Sequence, residues 1–188
     1  MYINLHDFLD RSTENGPGTR AVIWVQGCRL HCPGCFNPDT HDRRIRHLVS
    51  VDGLAQRILS ISDIEGITIS GGEPFLQAAS LAELGAIMHR ENLGVIVYSG
   101  FLFDHLKQAQ NPFWDALLAV TDLLIAGPFI RERAWKRSLR GSSNQTLHYL
   151  SERYASIQEK LEQKTNRVEI LIDKSGQIIV TGFPDFIY

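Results

Sequence analysis

Three cysteines lie close together in the sequence, and their chemistry is the easiest to name. Cys28, Cys32 and Cys35 are spaced C-x-x-x-C-x-x-C, and the chain has no other cysteine. Pro33 and Gly34 lie between them, as is typical of a loop that can wrap thiolates around one inorganic centre. A disulfide framework would hardly gather all its cysteines in one segment or leave one unpaired. The spacing therefore indicates a metal centre.

Two kinds of metal centre compete for these thiolates. Structural zinc takes four protein ligands, and the fourth would have to be His31, His41 or a carboxylate. A four-iron cluster also needs four ligands, so three cysteines leave one iron open to something else. An open iron suggests that a substrate or cofactor binds there.

A second segment whose residues could take part in chemistry is residues 70–74, SGGEP. The glycines Gly71 and Gly72 allow a backbone to approach a ligand closely, and Glu73 can accept hydrogen bonds from an ammonium group. A Gly-Gly turn after a strand is also common without any ligand. Its place in the fold has to decide between these interpretations.

The elements that must position both segments alternate along the chain. Runs of β-branched and aromatic residues predict strands over residues 21–26, 66–70, 94–98 and 122–126. Helical spacing predicts helices that start near Ser50 and Asp52 and that cover residues 76–91 and 103–120. Strands separated by helices of this length favour parallel β-α units, so the predicted class is α/β.

Both segments then fall at one edge of the predicted sheet. The cysteines follow the first strand and the SGGEP turn follows the second. The third strand ends in Tyr98 and Ser99, and the fourth ends in residues 126–129, AGPF. Ligands of parallel α/β proteins collect at the carboxyl edge of the strands, so we expect these four strand ends to share one mouth.

The second half of the chain is harder to interpret. Residues 131–140 are dense in positive charge, which favours a solvated helix over a lid or a partner surface. Residues 167–172 and 177–181 alternate around Lys174, Ser175 and Gly176 and predict a hairpin. The segment 151–188 could edge the sheet, cap the mouth or bind a partner.

Composition narrows the class further. The chain has 188 residues, 44% of them hydrophobic, which predicts one domain. A formal charge of −2 provides no basic field for nucleic acid or an anionic membrane. There is no apolar run long enough to span a bilayer, and His6 and Asp7 lie where a signal peptide needs apolar residues. We expect a soluble, cytoplasmic protein.

Four patches of the sequence resemble a known superfamily. They are residues 15–20 (NGPGTR), residues 28–37 around the cysteines, residues 70–74, and the segment from Arg140 to Gln145 (RGSSNQ). Together they are similar to radical S-adenosylmethionine enzymes, and within these to glycyl-radical-enzyme activases, most closely those of anaerobic ribonucleoside-triphosphate reductase. The resemblance implies a partial, open parallel β/α barrel. Its core would cover residues 1–150, with residues 151–188 as a C-terminal hairpin extension of the same domain.

The resemblance also implies a chemistry. A 4Fe-4S cluster would be reduced by an electron donor such as flavodoxin or ferredoxin, and its open iron would be chelated by the amino and carboxylate groups of S-adenosylmethionine. Cleavage of that cofactor would yield a carbon radical that removes a hydrogen atom from a glycine of the partner, here the large subunit of anaerobic ribonucleotide reductase. The implied cluster ligands are Cys28, Cys32 and Cys35, and the implied cofactor contacts include Gly34, Phe36, Gly71, Gly72 and Glu73.

Several of these residues have a plainer interpretation. Phe36 offers a flat apolar face for adenine but could equally be a core residue. Asn37 could fix the cysteine loop or form a local turn before Pro38. Ser99 could hydrogen-bond a ribose or a carboxylate, or it could belong to an ordinary turn.

One departure from the family and two other functions have to be weighed. Activases of this kind often carry an aspartate where this chain has Ala126. In this chain Asp122 stands at the other end of the same strand.

A radical enzyme acting on a small molecule or peptide, or a zinc-bound structural module, would share some of the same residues. The short chain favours a protein substrate, because little material is left to enclose a small one. No general acid or base is predicted, and His31, His41 and His148 are expected to be surface or packing residues.

Overall fold

Four parallel strands form the centre of the fold. The structure is a computed structural model and describes residues 1–172, 176 and 178–183. The strands are β1 (Tyr2–Ser12), β2 (Arg20–Val25), β3 (His47–Ser50), β4 (Gly66–Gly71), β5 (Gly94–Ser99), β6 (Leu123–Ala126), β7 (Thr146–Tyr149), β8 (Val168–Ile172) and β9 (Ile178–Gly182). One sheet has the order β3-β1-β2-β4-β5-β6-β7, in which β2, β4, β5 and β6 run parallel. The edge strands pair antiparallel with their neighbours.

Helices cover one face of this sheet. They are α1 (Val51–Leu59), α2 (Ala78–Arg90), α3 (Phe103–Gln108) and α4 (Pro112–Ala119), while α5 (Gln158–Gln163) lies on the other side. The main core joins these four helices to Ile23, Ile69 and Val97 of the strands. A smaller core on the opposite face packs Ile96 against Tyr154. The parallel strands are thus buried on both faces, as their continuous apolar runs predict.

The α/β class and the four central strands are confirmed. The sheet is open, because it ends in the edge strands β3 and β7. The partial barrel itself stays a prediction. Within the described residues, no helix is both long enough and apolar enough to cross a membrane.

The predicted helical stretch over residues 103–120 is divided into α3 and α4. The Asn111 side chain accepts hydrogen bonds from the backbone N–H groups of Phe113 and Trp114, which caps a new helix. Pro112 has no N–H to continue the preceding helix. The start of α1 is as predicted, with Ser50 as its capping residue.

The prediction of a solvated helix over residues 131–140 is wrong. Only Arg131–Arg133 form a short 3-10 helix, after which Ala134 pairs with Ser142 as an isolated bridge. Ser138 and Leu139 have φ angles of 63° and 57°, which interrupt any helix. Leu139 is fully buried in the smaller core, so burial of this side chain fixes the conformation of the segment.

The C-terminal hairpin is confirmed. β8 and β9 pair antiparallel along their whole length. The predicted turn at Lys174 and Ser175 lies outside the described residues. Asn15 Nδ2 donates to Thr181 Oγ1 at 2.8 Å, which ties the hairpin to the segment before β2.

The first patch of the family resemblance has a structural role. Arg20 is fully buried at the start of β2, and its guanidinium donates to the carbonyls of Ile67 at 2.6 Å and Gly94 at 2.8 Å. It also donates to the hydroxyls of Thr68 and Tyr154. Burial lowers the pKa of Arg20. This side chain holds together the amino ends of the parallel strands, at the opposite edge from the cysteines.

Candidate functional site

The cysteine loop leaves the carboxyl end of β2. Cys28 is buried, and Cys32 and Cys35 are half-buried. The backbone N–H of Leu30 donates to Cys28 Sγ and that of Asn37 donates to Cys35 Sγ, each at 3.4 Å. Hydrogen bonds of this kind favour a sulfur that carries negative charge. The loop therefore fixes the orientation of two of the three sulfurs.

Burial raises the pKa of the Cys28 and Cys35 thiols. These thiols keep their protons at neutral pH until a metal cation displaces them. In the part of the chain that the structure describes, no three Cys, His, Asp or Glu side chains close around a single metal ion. Three cysteines leave the fourth ligand position of either a zinc ion or a four-iron cluster to another group.

The turn after β4 lies directly against the start of the cysteine loop. The N–H of Gly72 donates to the carbonyl of Val25 at 2.8 Å, and the N–H of Glu73 donates to that of Gly27 at 2.9 Å. A Cβ on Gly72 would lie 2.3 Å from the carbonyl oxygen of Gly27. The sequence predicts that these glycines allow a ligand to approach, and the structure shows that they also allow the two turns to approach each other.

The Glu73 carboxylate is buried between the ends of β4 and β5. Its Oε1 accepts hydrogen bonds from the Ser99 hydroxyl at 2.9 Å and from the Phe75 N–H at 3.0 Å. Its Oε2 accepts one bond, from the Gly100 N–H at 2.8 Å. Burial nevertheless raises the pKa of Glu73 to about 7. A cation in the site would favour the charged carboxylate, and Ser99 holds that carboxylate in place.

A cavity of about 110 Å³ joins these residues. The predicted site residues in its wall are Cys28, Cys32, Cys35, Phe36, Asn37, Gly71, Gly72, Glu73 and Ser99. Gly127 and Phe129 also line it, so all four parallel strand ends meet at one mouth as expected. Gly34 is not part of this wall. It has a φ of +72°, and a Cβ there would lie 2.5 Å from Arg131 Nε, so it faces that side chain.

A second cavity of about 200 Å³ adjoins the first. The two share Phe36, Tyr98 and Gln145. Strands β1, β2, β4 and β5 provide one side of the second cavity, and β9 with Phe183 provides the other. The Phe183 ring centroid lies 6.3 Å from that of Phe36. The C-terminal hairpin therefore caps the sheet next to the cysteines.

Residues 14–148 match the family model of 4Fe-4S single cluster domains. The chain is 29% identical over 160 residues to the anaerobic ribonucleoside-triphosphate reductase-activating protein of Vibrio cholerae, which covers 78% of this chain and 97% of that protein. The protein of the same name from Escherichia coli is 29% identical over 158 residues, covering 79% and 99%. The one from Haemophilus influenzae is 33% identical over 144 residues, covering 71% and 90%.

The chain belongs to the family of anaerobic ribonucleoside-triphosphate reductase-activating proteins. The resemblance inferred from the four patches is thereby confirmed. The match to a 4Fe-4S domain also favours a cluster over zinc. The hairpin, β8 and β9, lies outside the matched residues.

Sequence reasoning missed two residues in the walls of the site. Tyr98 lines both cavities, and among the described residues its buried hydroxyl has no hydrogen-bond partner. Burial raises the pKa of Tyr98. Its position before Ser99 at a strand end was the available signal. His41 was expected at the surface or in packing, but it lines the first cavity. The chain returns to the cysteine loop at this residue, and the ring centroids of His41 and His31 lie 4.8 Å apart.

The fourth patch of the family resemblance closes the site from the side of β7. Gln145 Oε1 accepts from the N–H groups of Gly141 at 2.8 Å and Ser142 at 3.1 Å. Gln145 Nε2 donates to the carbonyl of Gly127 at 3.0 Å. A Cβ on Gly141 would lie 2.6 Å from Phe36 Cε2. The patch therefore shapes the wall around Phe36.

The end of β6, where the resemblance implies an aspartate, carries no charge in this chain. Ala126 ends β6 and is buried. Asp122 precedes the other end of the strand, where its Oδ2 accepts from the Val95 N–H at 2.7 Å and lies 3.1 Å from His89 Nε2. Asp122 thus points away from the site, as the regular strand predicts.

Proposed function

We propose that this protein is a radical S-adenosylmethionine activase that generates a glycyl radical on an anaerobic ribonucleoside-triphosphate reductase. The observation that carries the proposal is that three cysteines and Glu73 line one cavity at the carboxyl ends of parallel strands. Relatives that bear the name of reductase-activating protein over most of their length support the choice of partner.

In this proposal Cys28, Cys32 and Cys35 ligate a 4Fe-4S cluster and leave one iron open for S-adenosylmethionine. When bound, the cluster and S-adenosylmethionine would supply one-electron reductive cleavage of the sulfonium and abstraction of a hydrogen atom from a glycine of the partner. Glu73 accepts a hydrogen bond from the methionine ammonium in this proposal, which is supported by two observations: the residue lines the cavity, and its Oε2 has one protein partner.

The remaining residues position these groups. Phe36 and Asn37 line both cavities and contact the adenine of the cofactor in this proposal. Gly34 supports the loop that carries them on the side that faces Arg131. The sheet curves as a partial barrel, with residues 1–150 as its core and the hairpin as an extension of the same domain. Flavodoxin or ferredoxin supplies the electron, and the reducing cytoplasm keeps the thiols available.

The decisive experiment uses anaerobically prepared protein. We expect about four iron and four sulfide per chain, and a glycine-centred radical by electron paramagnetic resonance after incubation with reductant, S-adenosylmethionine and the reductase. The variant Cys32→Ala should lose iron and cofactor cleavage together, whereas its neighbour His31→Ala should keep both. Stoichiometric zinc without sulfide would refute the proposal. Cofactor cleavage without a protein radical on any candidate partner would favour a small-molecule substrate.

A further inference from the structure

Two segments that contact the cysteine loop carry much exposed positive charge. Residues 29–46 and 131–137 hold eight basic and three acidic side chains, whereas the rest of the chain holds eleven basic and eighteen acidic ones. We call the eight basic residues the arginine collar. They are Arg29, Arg43, Arg44, Arg46, Arg131, Arg133, Lys136 and Arg137, and all of them are exposed. The charge of the whole chain is negative, so the collar is a local feature.

The two segments of the collar flank the cysteine loop from different sides. The side chain of Arg131 lies against Gly34, since a Cβ on that glycine would be 2.5 Å from the guanidinium. On the other side, the Gly27 N–H donates to the carbonyl of Thr40 at 2.8 Å, and a Cβ on Gly27 would lie 3.8 Å from the Cα of Arg43. The fold therefore holds Arg131 and the backbone of Arg43 next to the cysteine loop.

Much of this charge is not neutralised within the protein. Among the described residues, no acidic side chain forms an ion pair with Arg29, Arg43, Arg46, Arg133 or Arg137. Other arginines do form ion pairs: Arg57 Nη2 lies 3.0 Å from Asp10 Oδ1. A cluster of like charges costs free energy through self-repulsion, which an acidic partner would relieve.

We propose that the arginine collar is the docking surface for an acidic electron-transfer protein. This inference rests on the proposed function, because a cluster at the cysteines must receive its electron from outside. Cys32 and Cys35 are only half-buried, so the loop lies near the surface that the collar surrounds. Complementary charge raises the rate of encounter and fixes the orientation of the partner. Ile45, 72% exposed, and Trp135, 43% exposed, offer apolar contacts within the charged rim.

The test is a double charge reversal in the cluster-loaded protein, Arg43→Glu with Arg133→Glu. We measure the affinity for oxidised flavodoxin by calorimetry at low and physiological ionic strength, and the rate of cluster reduction by reduced flavodoxin. Both should fall about tenfold or more, and wild-type affinity should weaken as salt is added. Reduction by dithionite and affinity for S-adenosylmethionine should not change. The matched control reverses two exposed lysines outside the collar, Lys107→Glu with Lys160→Glu, and should bind flavodoxin nearly as the wild type does.

Three results would overturn the docking surface. They are an equal loss in the control, wild-type affinity that does not respond to salt, and a shift of the cluster potential in the collar variant with unchanged flavodoxin affinity. In the last case the arginines tune the cluster and do not bind the donor. Failure of the proposed function would differ, since wild-type protein would then lack the cluster or fail to cleave S-adenosylmethionine. Donor affinity is measured directly, which keeps the two failures distinguishable.

Discussion

Replacing Glu73 with glutamine should change how the stability of the apoprotein depends on pH. The wild-type carboxyl is buried, with a pKa of about 7 in the folded state against an ordinary value of 4.5. A carboxyl whose folded pKa is raised stabilises the fold fully below the unfolded pKa, and this stability is lost as the pH rises through the folded pKa. Glutamine has no proton to lose, so Glu73→Gln removes this contribution.

The magnitude follows from the same two values. Between pH 4.5 and about pH 7 the wild-type carboxyl should lose about 3 kcal/mol of unfolding free energy. The glutamine amide also points an N–H toward the Gly100 N–H or the Ser99 hydroxyl, which costs about 1–3 kcal/mol at every pH. The variant should therefore be less stable than the wild type at pH 5 and as stable as the wild type or more stable by pH 8.

Urea denaturation of both proteins at several pH values between 5 and 8 measures this difference. Burial raises the pKa of the Cys28 and Cys35 thiols, so both stay protonated over this pH range. The exposed Glu91→Gln serves as a control and should follow the wild type at every pH. A stability difference between Glu73→Gln and wild type that stays constant from pH 5 to pH 8 would refute the buried-carboxylate reasoning. If Glu73 binds the methionine ammonium, cofactor affinity in the wild type should also rise with pH up to about 7.

Three other substitutions probe the walls of the site and its cap. Gly72→Ala should cost about 1–3 kcal/mol in urea denaturation, because the new Cβ meets the carbonyl of Gly27 at 2.3 Å. Tyr98→Phe should leave the free energy of unfolding unchanged or raise it by up to about 1 kcal/mol, because the tyrosine hydroxyl has no partner among the described residues. A decrease of more than about 1 kcal/mol would show that the hydroxyl is hydrogen-bonded. Glu169→Gln weakens the hydrogen bond that Ser12 donates to the hairpin, so amide exchange in β8 should accelerate while exchange in β4 stays the same.

The position of the site could be predicted because the central strands have a simple sequence signature. Each parallel strand is a continuous apolar run buried on both faces, so its carboxyl end can be located to within a residue or two. The cysteines and the SGGEP turn directly follow two such strands. Adjacent parallel strands place their ends side by side, and that is sufficient to bring Cys28 and Glu73 into one cavity.

The parts that could not be predicted depend on contacts between distant segments. β1 lies between β2 and β3 and has a weak alternation that buries only a few residues, such as Ile3 and Leu5, so it does not stand out in the sequence. The basic run at residues 131–140 correctly indicates exposure of its first seven residues. Its conformation is set by Leu139, which is buried in the smaller core. The local sequence pattern does not predict this burial.

Glu73 supplies the carboxylate of the site, because β6 ends there in the neutral Ala126. Gln145 lines both cavities beside the end of β6, so a neutral amide stands there instead of a carboxylate. Among the described residues that line the cysteine cavity, Glu73 is the one acidic side chain. A cationic group bound beside the cysteines therefore has this single carboxylate to pair with. Loss of its charge in Glu73→Gln should weaken ammonium binding without a neighbour to compensate.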